Sequence, residues 1–258
     1  MYKVFSLILL FFILGQTPFT HAKNDAINIT TWNYYLSEPF ANKKGKGLAL
    51  DFTNLLNKIM PEKYHFKLKN IPRARLNLLL ENQDNQGIVL FVNSSWMGKN
   101  AKDKYLWTPA IYQDYNDIIS AKKKITYNTP QSLIGLRFGG ISGRKYRYLE
   151  ELFDKRLVQR IDLRTEEQAM MMLIQGRIDV TSQPRSITNY LIQKLKLQEK
   201  VFISPKPLFK FDRRIMLTHK LNKLHLDLSD GILQLSKDDK WINLKKKYGL
   251  PFISHQSN

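Results

Sequence analysis

The segment SGRKYRYLEELF, from Ser142 to Phe153, concentrates positive charge in a short stretch of the chain. Its cations are Arg144, Lys145 and Arg147. Ser142 is a favourable helix N-cap, and aromatic and apolar residues follow at near-helical spacing, so a helix is predicted to begin there. Cations in a first helical turn are unfavourable, because the helix dipole already places positive charge at that end. Either these side chains are solvated and paired nearby, as Arg147 would be with Glu151, or the segment binds an anion.

Other residues that carry out chemistry are sparse. The four histidines that follow residue 22 are not spaced as a metal pair, and the chain has no cysteine. The stretch GGISGRK lacks the spacing of a phosphate-binding loop, and no serine nucleophile elbow is present. The sequence therefore predicts no catalytic residue, no metal and no cofactor, and it excludes disulfides.

The first residues have the pattern of a secretory signal peptide. Lys3 precedes an apolar run from Val4 to Leu14, and Ala22 is a small residue at the expected cleavage position. The apolar run is too short for a permanent membrane-spanning helix. Cleavage after Ala22, without a cysteine for lipid attachment, predicts an unanchored protein of the periplasm.

The formal net charge of +19 favours anionic partners of any size. However, the runs KKGK, AKKK and LKKKYG lie at predicted turns or helix ends, without the interleaved aromatic residues typical of nucleic-acid binding. We interpret most of this charge as a solvated surface, and no nucleic-acid partner is predicted.

Strands and helices alternate in two similar stretches of the chain. In the first, the strands INITTW, YHFKLKNI and GIVLFV are separated by a helix around Leu48–Ile59, which Pro61 is expected to stop, and by one that Pro72 opens. In the second, the strands are GLRFGG, VQRIDL and IDVTS, with helices over TEEQAMMMLIQG and SITNYLIQKL. This alternation predicts a parallel α/β architecture that is built twice.

The helix TEEQAMMMLIQG is well delimited by its end residues. Thr165 and Gln168 form a capping box, and Gly176 is a C-terminal stop. Its consecutive methionines, Met170–Met172, are either a soft metal site or core filling, and their apolar neighbours favour the core.

Five segments resemble, in the same order, those of the family-3 extracellular solute-binding proteins, the two-lobed periplasmic group best known for amino acids. They are SEPF with KGLALDFTNLLNKI, KYLWTPAIY, PQSLIGLRFGGISGRKY, AMMMLIQGRIDV and KWINLKKKYG. The resemblance extends from about Ile27 to Gly249. It implies an α/β periplasmic-binding-protein type II fold with a discontinuous lobe 1 and a ligand cleft between the lobes.

The extended segments YQDYNDIISAK and FDRRIMLTHK are expected to be the two crossings between the lobes. The expected boundaries are 1–22 for the signal peptide, 23–118 and 213–258 for lobe 1, and 119–212 for lobe 2. Such a protein closes on a small solute and presents it to an ABC permease or to the ectodomain of a sensor kinase, and we expect a monomer.

Two departures from the family pattern concern specificity. Its amino-acid binders carry an arginine that clamps the ligand carboxylate, but here that position falls at Ala101 or Lys102. They also carry an aspartate that holds the ligand ammonium, but here that position is Pro184, beside Arg185. A small anionic, carboxylate-bearing solute is therefore predicted, and neutral zwitterionic amino acids are expected to bind poorly.

The same resemblance assigns candidate ligand-binding residues. Gly143, Arg144 and Lys145 occupy the position where the family binds an anionic group at a helix N-terminus. The other candidates are Trp32, Tyr34 and Tyr35, of which one is expected to stack on the solute, together with Arg75, Asn93, Ser94, Ser95, Lys102 and Arg185. The alternative is packing for the aromatic residues and solvent exposure for the charged ones.

Two other functions stay open. One is a periplasmic enzyme of the same fold, similar to a dehydratase, for which Glu38 is the nearest candidate general acid or base. The other is a basic secreted protein that binds polyanions, whose affinity would fall steeply with salt.

Overall fold

The computed structural model describes residues 26–60, 62–81, 87–235 and 237–251. The predicted signal peptide and the predicted helix stop at Pro61 lie outside these residues. Within these ranges, none of the helices combines the length and the apolar character that spanning a bilayer requires.

The described residues form ten strands and eight α-helices. The strands are β1 (Ile27–Asn33), β2 (Tyr64–Asn70), β3 (Gly87–Val92), β4 (Leu106–Trp107), β5 (Tyr112–Ser120), β6 (Arg137–Ile141), β7 (Gln159–Leu163), β8 (Val180–Pro184), β9 (Phe202–Ile203) and β10 (Phe209–Leu217). The helices are α1 (Leu48–Ile59), α2 (Arg73–Glu81), α3 (Ala101–Lys104), α4 (Glu150–Asp154), α5 (Glu166–Gln175), α6 (Arg185–Leu195), α7 (Asn222–Leu235) and α8 (Asp239–Tyr248).

The strand order is β2-β1-β3-β10-β5-β8-β6-β7. At one end, β1 pairs in parallel with β2 and β3, and at the other, β6 pairs in parallel with β7 and β8. Each parallel group carries helices, so the prediction of a parallel α/β architecture that is built twice is confirmed.

Two antiparallel strands join the parallel groups. β10 pairs with β3 and β4 through Arg214–Leu217 and with β5 through Phe209–Arg213. β5 in turn leaves β10 and pairs with β8 from Asn116 onward. The chain therefore passes from one half to the other along β5 and returns along β10.

The core of the first half includes helix α8. Helix α1 buries an apolar stripe, and the aromatic ring of Phe52 on α1 contacts Trp241 of α8, with 5.4 Å between the ring centroids. Strand β3 is buried along its whole length, as expected for a parallel strand covered on both faces. Because α8 packs on α1, the C-terminal segment belongs structurally to the N-terminal half.

Helix α5 has the predicted ends. The Thr165 hydroxyl accepts a hydrogen bond from the Gln168 amide at 3.1 Å, and Gly176 ends the helix with a φ of +71°. Met170 is buried and Met171 is exposed, and the described part of the chain has no group of three or more His, Cys, Asp or Glu residues that could hold a metal ion. The core interpretation of the methionines therefore holds for Met170.

The prediction of a helix from Ser142 is wrong. The chain turns after β6, and α4 begins only at Glu150. Gly143 has a φ of +74°, which no right-handed helix accommodates, and Tyr146 is buried against Phe138 with 4.9 Å between ring centroids. Burying that tyrosine keeps the segment in a turn, so the cations of this segment do not oppose a helix dipole.

Candidate functional site

A cavity of about 270 Å³ lies where β5 and β10 cross between the halves. It is lined by Tyr34, Tyr35, Arg73, Trp96, Asn116, Arg144, Lys145, Pro184, Phe209, Phe211 and Arg213. Several of these residues follow the carboxyl ends of β1, β3, β6 and β8. Open parallel sheets bind ligands at that edge, so the cavity lies where this architecture places a ligand.

The charge of the lining is entirely positive. Arg73, Arg144, Lys145 and Arg213 are its four cations, and none of the lining residues is acidic. An electrostatic field of one sign in a confined site attracts small molecules of the opposite sign.

Arg213 is fully buried at this cavity. Its Nε donates to Asp114 Oδ2 at 2.8 Å, and its Nη1 donates to the Phe91 carbonyl at 3.1 Å. Its Nη2 is buried without a hydrogen-bond partner among the described residues. Burial alone would lower the pKa of Arg213, but Tyr112, Tyr35 and Asp114 raise that pKa above its ordinary value, so the side chain stays cationic.

Asp114 links three elements that meet at the crossing through hydrogen bonds. Its carboxylate, on β5, accepts from Arg213 on β10 and from the Ser186 hydroxyl, on α6, at 2.6 Å. The Ser186 amide also donates to it at 3.1 Å. These hydrogen bonds replace the hydration that the buried Asp114 carboxylate loses.

Arg144 reaches the cavity from the turn after β6. Its Nη2 lies 2.6 Å from Glu166 Oε1 at the start of α5, and its Nη1 is buried with no hydrogen-bond partner in the described residues. Burial would lower the pKa of Arg144, whereas the Glu166 carboxylate raises it above its ordinary value. The cavity thus has two cationic groups, Arg144 and Arg213, each with a buried N–H donor that the described protein leaves unpaired.

Aromatic side chains supply most of the rest of the lining. Tyr34 and Tyr35 stack with 4.3 Å between ring centroids, and the Tyr34 hydroxyl donates to that of Tyr35 at 2.8 Å. The guanidinium of Arg73 lies 4.8 Å over the other side of Tyr34 and donates to the Trp96 carbonyl. Trp96 contacts Phe211 edge to face, with 4.8 Å between ring centroids.

Some predicted site residues line this cavity. They are Tyr34, Tyr35, Arg144 and Lys145, with Pro184 at the position of the family's missing acid. The two tyrosines cover one another, and Phe40 stacks on Tyr35 with 4.5 Å between ring centroids, so neither face of Tyr35 is free to stack on a ligand.

Other predicted residues lie elsewhere. Trp32 is buried in the core beneath Gly87, where a Cβ would come within 2.2 Å of its ring. Arg75 lines a separate cavity beside Trp32. The Asn93 side chain binds the Asp212 carbonyl at 3.0 Å and accepts from the Ser95 hydroxyl at 2.8 Å, so both are engaged within the protein.

Ser94, Lys102, Gly143 and Arg185 also do not line the cavity. Lys102 is exposed on α3. Arg185 makes two hydrogen bonds of 2.7 Å to the buried Asp117 carboxylate and lies 4.2 Å over the ring of Tyr115. Since Arg185 neutralises Asp117, it is a structural cation at the start of α6.

Sequence reasoning missed Arg73, Asn116, Phe209, Phe211 and Arg213. A signal for three of them was present. Phe209, Phe211 and Arg213 alternate along β10, so they lie on one face of that strand. The segment was interpreted only as a crossing, although its alternate residues face the cavity.

A second cavity, of about 450 Å³, adjoins this site and has acidic residues in its lining. Glu38, Glu166 and Glu167 line it, so Glu166 faces the second cavity while its partner Arg144 lines the first. Lys194 lies 2.7 Å from Glu38 and 2.9 Å from Glu167, and it joins the loop before α1 to helices α5 and α6.

The two α/β halves, the paired crossing strands and the cleft at the crossing define the fold of two-lobed solute-binding proteins of the periplasmic-binding-protein type II class. Neither a search of family models nor a search of curated proteins finds a match. The structure is similar to that of a probable amino-acid ABC transporter extracellular-binding protein from Bacillus subtilis, with a TM-score of 0.67 and 18% identity over 88% of this chain and 100% of that one.

Two further solved structures share the fold. The L-cystine solute receptor of Neisseria gonorrhoeae, in an unliganded open conformation, has a TM-score of 0.66 and 14% identity over 90% of this chain and 97% of that one. A histidine kinase sensor domain with similarity to periplasmic binding proteins has a TM-score of 0.62 and 15% identity over 88% of this chain and 96% of that one. The predicted resemblance is thus confirmed at the level of the fold.

Proposed function

We propose that this protein is a periplasmic receptor that binds a small, carboxylate-bearing anion in the cleft between its halves. The observation that carries the proposal is the all-cationic lining, in which Arg144 Nη1 and Arg213 Nη2 are buried N–H donors without partners. A buried donor that stays unpaired is costly, and a carboxylate accepts from two guanidinium groups at once. Binding an anion removes that cost.

The function as a receptor also fits the structural neighbours. They include a protein described as an ABC transporter binding protein and a sensor domain of a histidine kinase. We propose the same two outlets for this chain, an ABC permease or a membrane sensor, and a monomer in solution. A neighbouring gene for a permease or for a sensor kinase would distinguish them.

We propose that export to the periplasm depends on cleavage after Ala22, which gives a mature chain that starts at Lys23. The intact mass of the protein recovered from the periplasm tests this. A mass that includes residues 1–22 contradicts it.

A thermal-shift screen tests the anion specificity. Succinate, benzoate, gluconate and phosphate represent the anions, and glutamine and leucine represent neutral zwitterions. We expect at least one carboxylate to raise the melting temperature, because a ligand that binds the folded state stabilises it, and we expect no shift with the zwitterions.

The matched variants are Arg144→Gln and Arg147→Gln. Arg144 lines the cavity, whereas Arg147 is exposed in the same segment and does not line it. The shift should be lost in the first variant and kept in the second. Micromolar binding of glutamine or leucine, conversion of the bound carboxylate to a product, or salt-sensitive binding of heparin without any response to small anions would each overturn the proposal.

A further inference from the structure

We propose that the solute is a planar aromatic carboxylate that carries no amine. This inference rests on the proposed function and names the class of ligand for the same cavity. It follows from three properties of the lining: the kind of apolar surface, the polar groups that it contains, and the size of the cavity.

The apolar surface of the cavity is aromatic. Five of its lining residues carry rings, Tyr34, Tyr35, Trp96, Phe209 and Phe211, and the only other apolar side chain is that of Pro184. Aromatic rings attract one another in offset or edge-to-face geometry beyond the gain from burial alone. A ligand ring therefore gains more from these walls than a saturated chain of equal size.

The rings form two groups. Tyr34 and Tyr35 make a stacked pair. Phe211 contacts Trp96 at 4.8 Å and Phe209 at 5.7 Å, measured between ring centroids. The Arg213 guanidinium lies 5.0 Å from the ring of Tyr35 and 5.1 Å from that of Phe211, so a carboxylate bound to Arg213 lies beside rings of both groups.

The polar groups of the lining select against amines and polyols. An ammonium is neutralised by a carboxylate, and the carboxylates nearest the two arginines, Glu166 and Asp114, are already engaged by Arg144 and by Arg213 with Ser186. A buried ammonium without a carboxylate partner is strongly disfavoured. Apart from Asn116 and the paired tyrosine hydroxyls, the lining has no uncharged side chain that could bind the hydroxyl groups of a sugar acid.

The size of the cavity limits the ligand to one ring. Its volume of about 270 Å³ lies near the lower end of the roughly 300–1,000 Å³ range of ligand pockets. A single ring with a short carboxylate side chain fits this space, whereas a peptide or an oligosaccharide exceeds it.

Isothermal titration calorimetry with matched ligands tests the inference. The ligands 3-phenylpropionate and phenylalanine differ only in the amine, and benzoate and cyclohexanecarboxylate differ only in the aromatic ring. We expect 3-phenylpropionate to bind at least about tenfold more tightly than phenylalanine, because the unpaired ammonium is penalised. We expect benzoate to bind about two- to tenfold more tightly than its saturated analogue, the range for one aromatic pair.

Two variants test whether the preference for an aromatic ligand comes from the rings that line the cavity. Trp96→Leu removes a lining ring that is only partly buried, and Tyr148→Leu removes an exposed ring that contacts Phe209 from outside the cavity. The ratio of the benzoate affinity to the cyclohexanecarboxylate affinity should decrease in the first variant and stay unchanged in the second. An unchanged ratio in Trp96→Leu would overturn the assignment.

The outcomes separate this inference from the proposed function. If succinate or phosphate binds more tightly than every aromatic acid, and Arg144→Gln abolishes that binding, the anion receptor stands and the aromatic ligand class is wrong. If phenylalanine binds as tightly as 3-phenylpropionate, the exclusion of amines is wrong. If no anion binds, both proposals fail.

Discussion

Arg213 and Asp114 form an ion pair that has no solvent exposure, with Arg213 Nε 2.8 Å from Asp114 Oδ2. The arginine is on β10 and the aspartate on β5, so the pair joins the two strands that connect the halves. Since the same arginine lines the cavity, the connection between the halves and the proposed binding site share one side chain.

Removal of Asp114 should destabilise the protein strongly. In Asp114→Ala, Arg213 stays buried without its counter-charge, and breaking a buried ion pair on one side costs about 3–5 kcal/mol. Urea unfolding, followed by circular dichroism, measures this loss. The control is Glu151→Gln, which breaks the fully exposed pair with Lys155 and should leave the free energy of unfolding nearly unchanged. Equal effects of the two variants would contradict this account.

Arg144→Ala should weaken ligand binding by about 1.5–3 kcal/mol, the range for hydrogen bonds to charged groups. It should also destabilise the ligand-free protein by about 1–3 kcal/mol, because Glu166 loses its partner. The helix predicted from the sequence would instead make the substitution stabilising, by relieving the helix dipole. Calorimetric titration with the tightest anion of the screen and urea unfolding without it give both quantities, and a more stable ligand-free variant would contradict the structure.

Asp179 and Asp117 should contribute to the pH dependence of stability with opposite signs. The hydrogen bond from Arg137 lowers the pKa of Asp179, so its stabilising contribution is present above about pH 4 and is lost as the pH falls through its folded pKa. Burial raises the pKa of Asp117 despite the hydrogen bonds from Arg185, so its charged form costs stability above that folded pKa. That cost disappears as the pH falls toward about 4.

The free energy of unfolding between pH 7 and pH 3 measures these contributions. Compared with the unmodified protein, Asp179→Asn should lose less stability on acidification and Asp117→Asn should lose more. Changes of the same sign in both variants would mean that one of the two pKa directions is wrong.

Lys194→Ala should weaken ligand binding modestly. Lys194 on α6 contacts Glu38, which precedes α1, and its side chain is 37% exposed, so the contact is screened and contributes less than about 1 kcal/mol. The effect should shrink as salt is raised. Lys200→Ala, which removes an exposed cation just beyond α6, is the control and should leave affinity unchanged. A loss of affinity that does not depend on salt would show that Lys194 acts by another route.

Much of the fold could be predicted from the sequence because burial patterns are local. The continuous apolar run of β3 is buried throughout, and Thr165 and Gly176 delimit α5 as their types predict. The order of the strands and helices along the chain then restricts the architecture to a parallel α/β arrangement that is built twice.

The turn after β6 could not be predicted in the same way. Tyr146, Leu149 and Phe153 have helical spacing, but the structure buries the first two through a turn that Gly143 enters with a positive φ. Apolar periodicity indicates which residues are buried but does not specify the backbone conformation, so a short apolar pattern fits either a helix or a turn.

The chemistry of the site was decided by tertiary structure. Arg144 was identified from its neighbours in the chain, but Arg213 became a site residue only because Asp114, 99 positions away, supplies its counter-charge. Likewise, Arg185 beside Pro184 resembled a ligand-binding cation until the fold placed it on Asp117. A buried charge requires a partner, and since that partner comes from a distant strand, only the folded chain determines which arginine is satisfied internally and which keeps a donor without a partner in the described part of the chain.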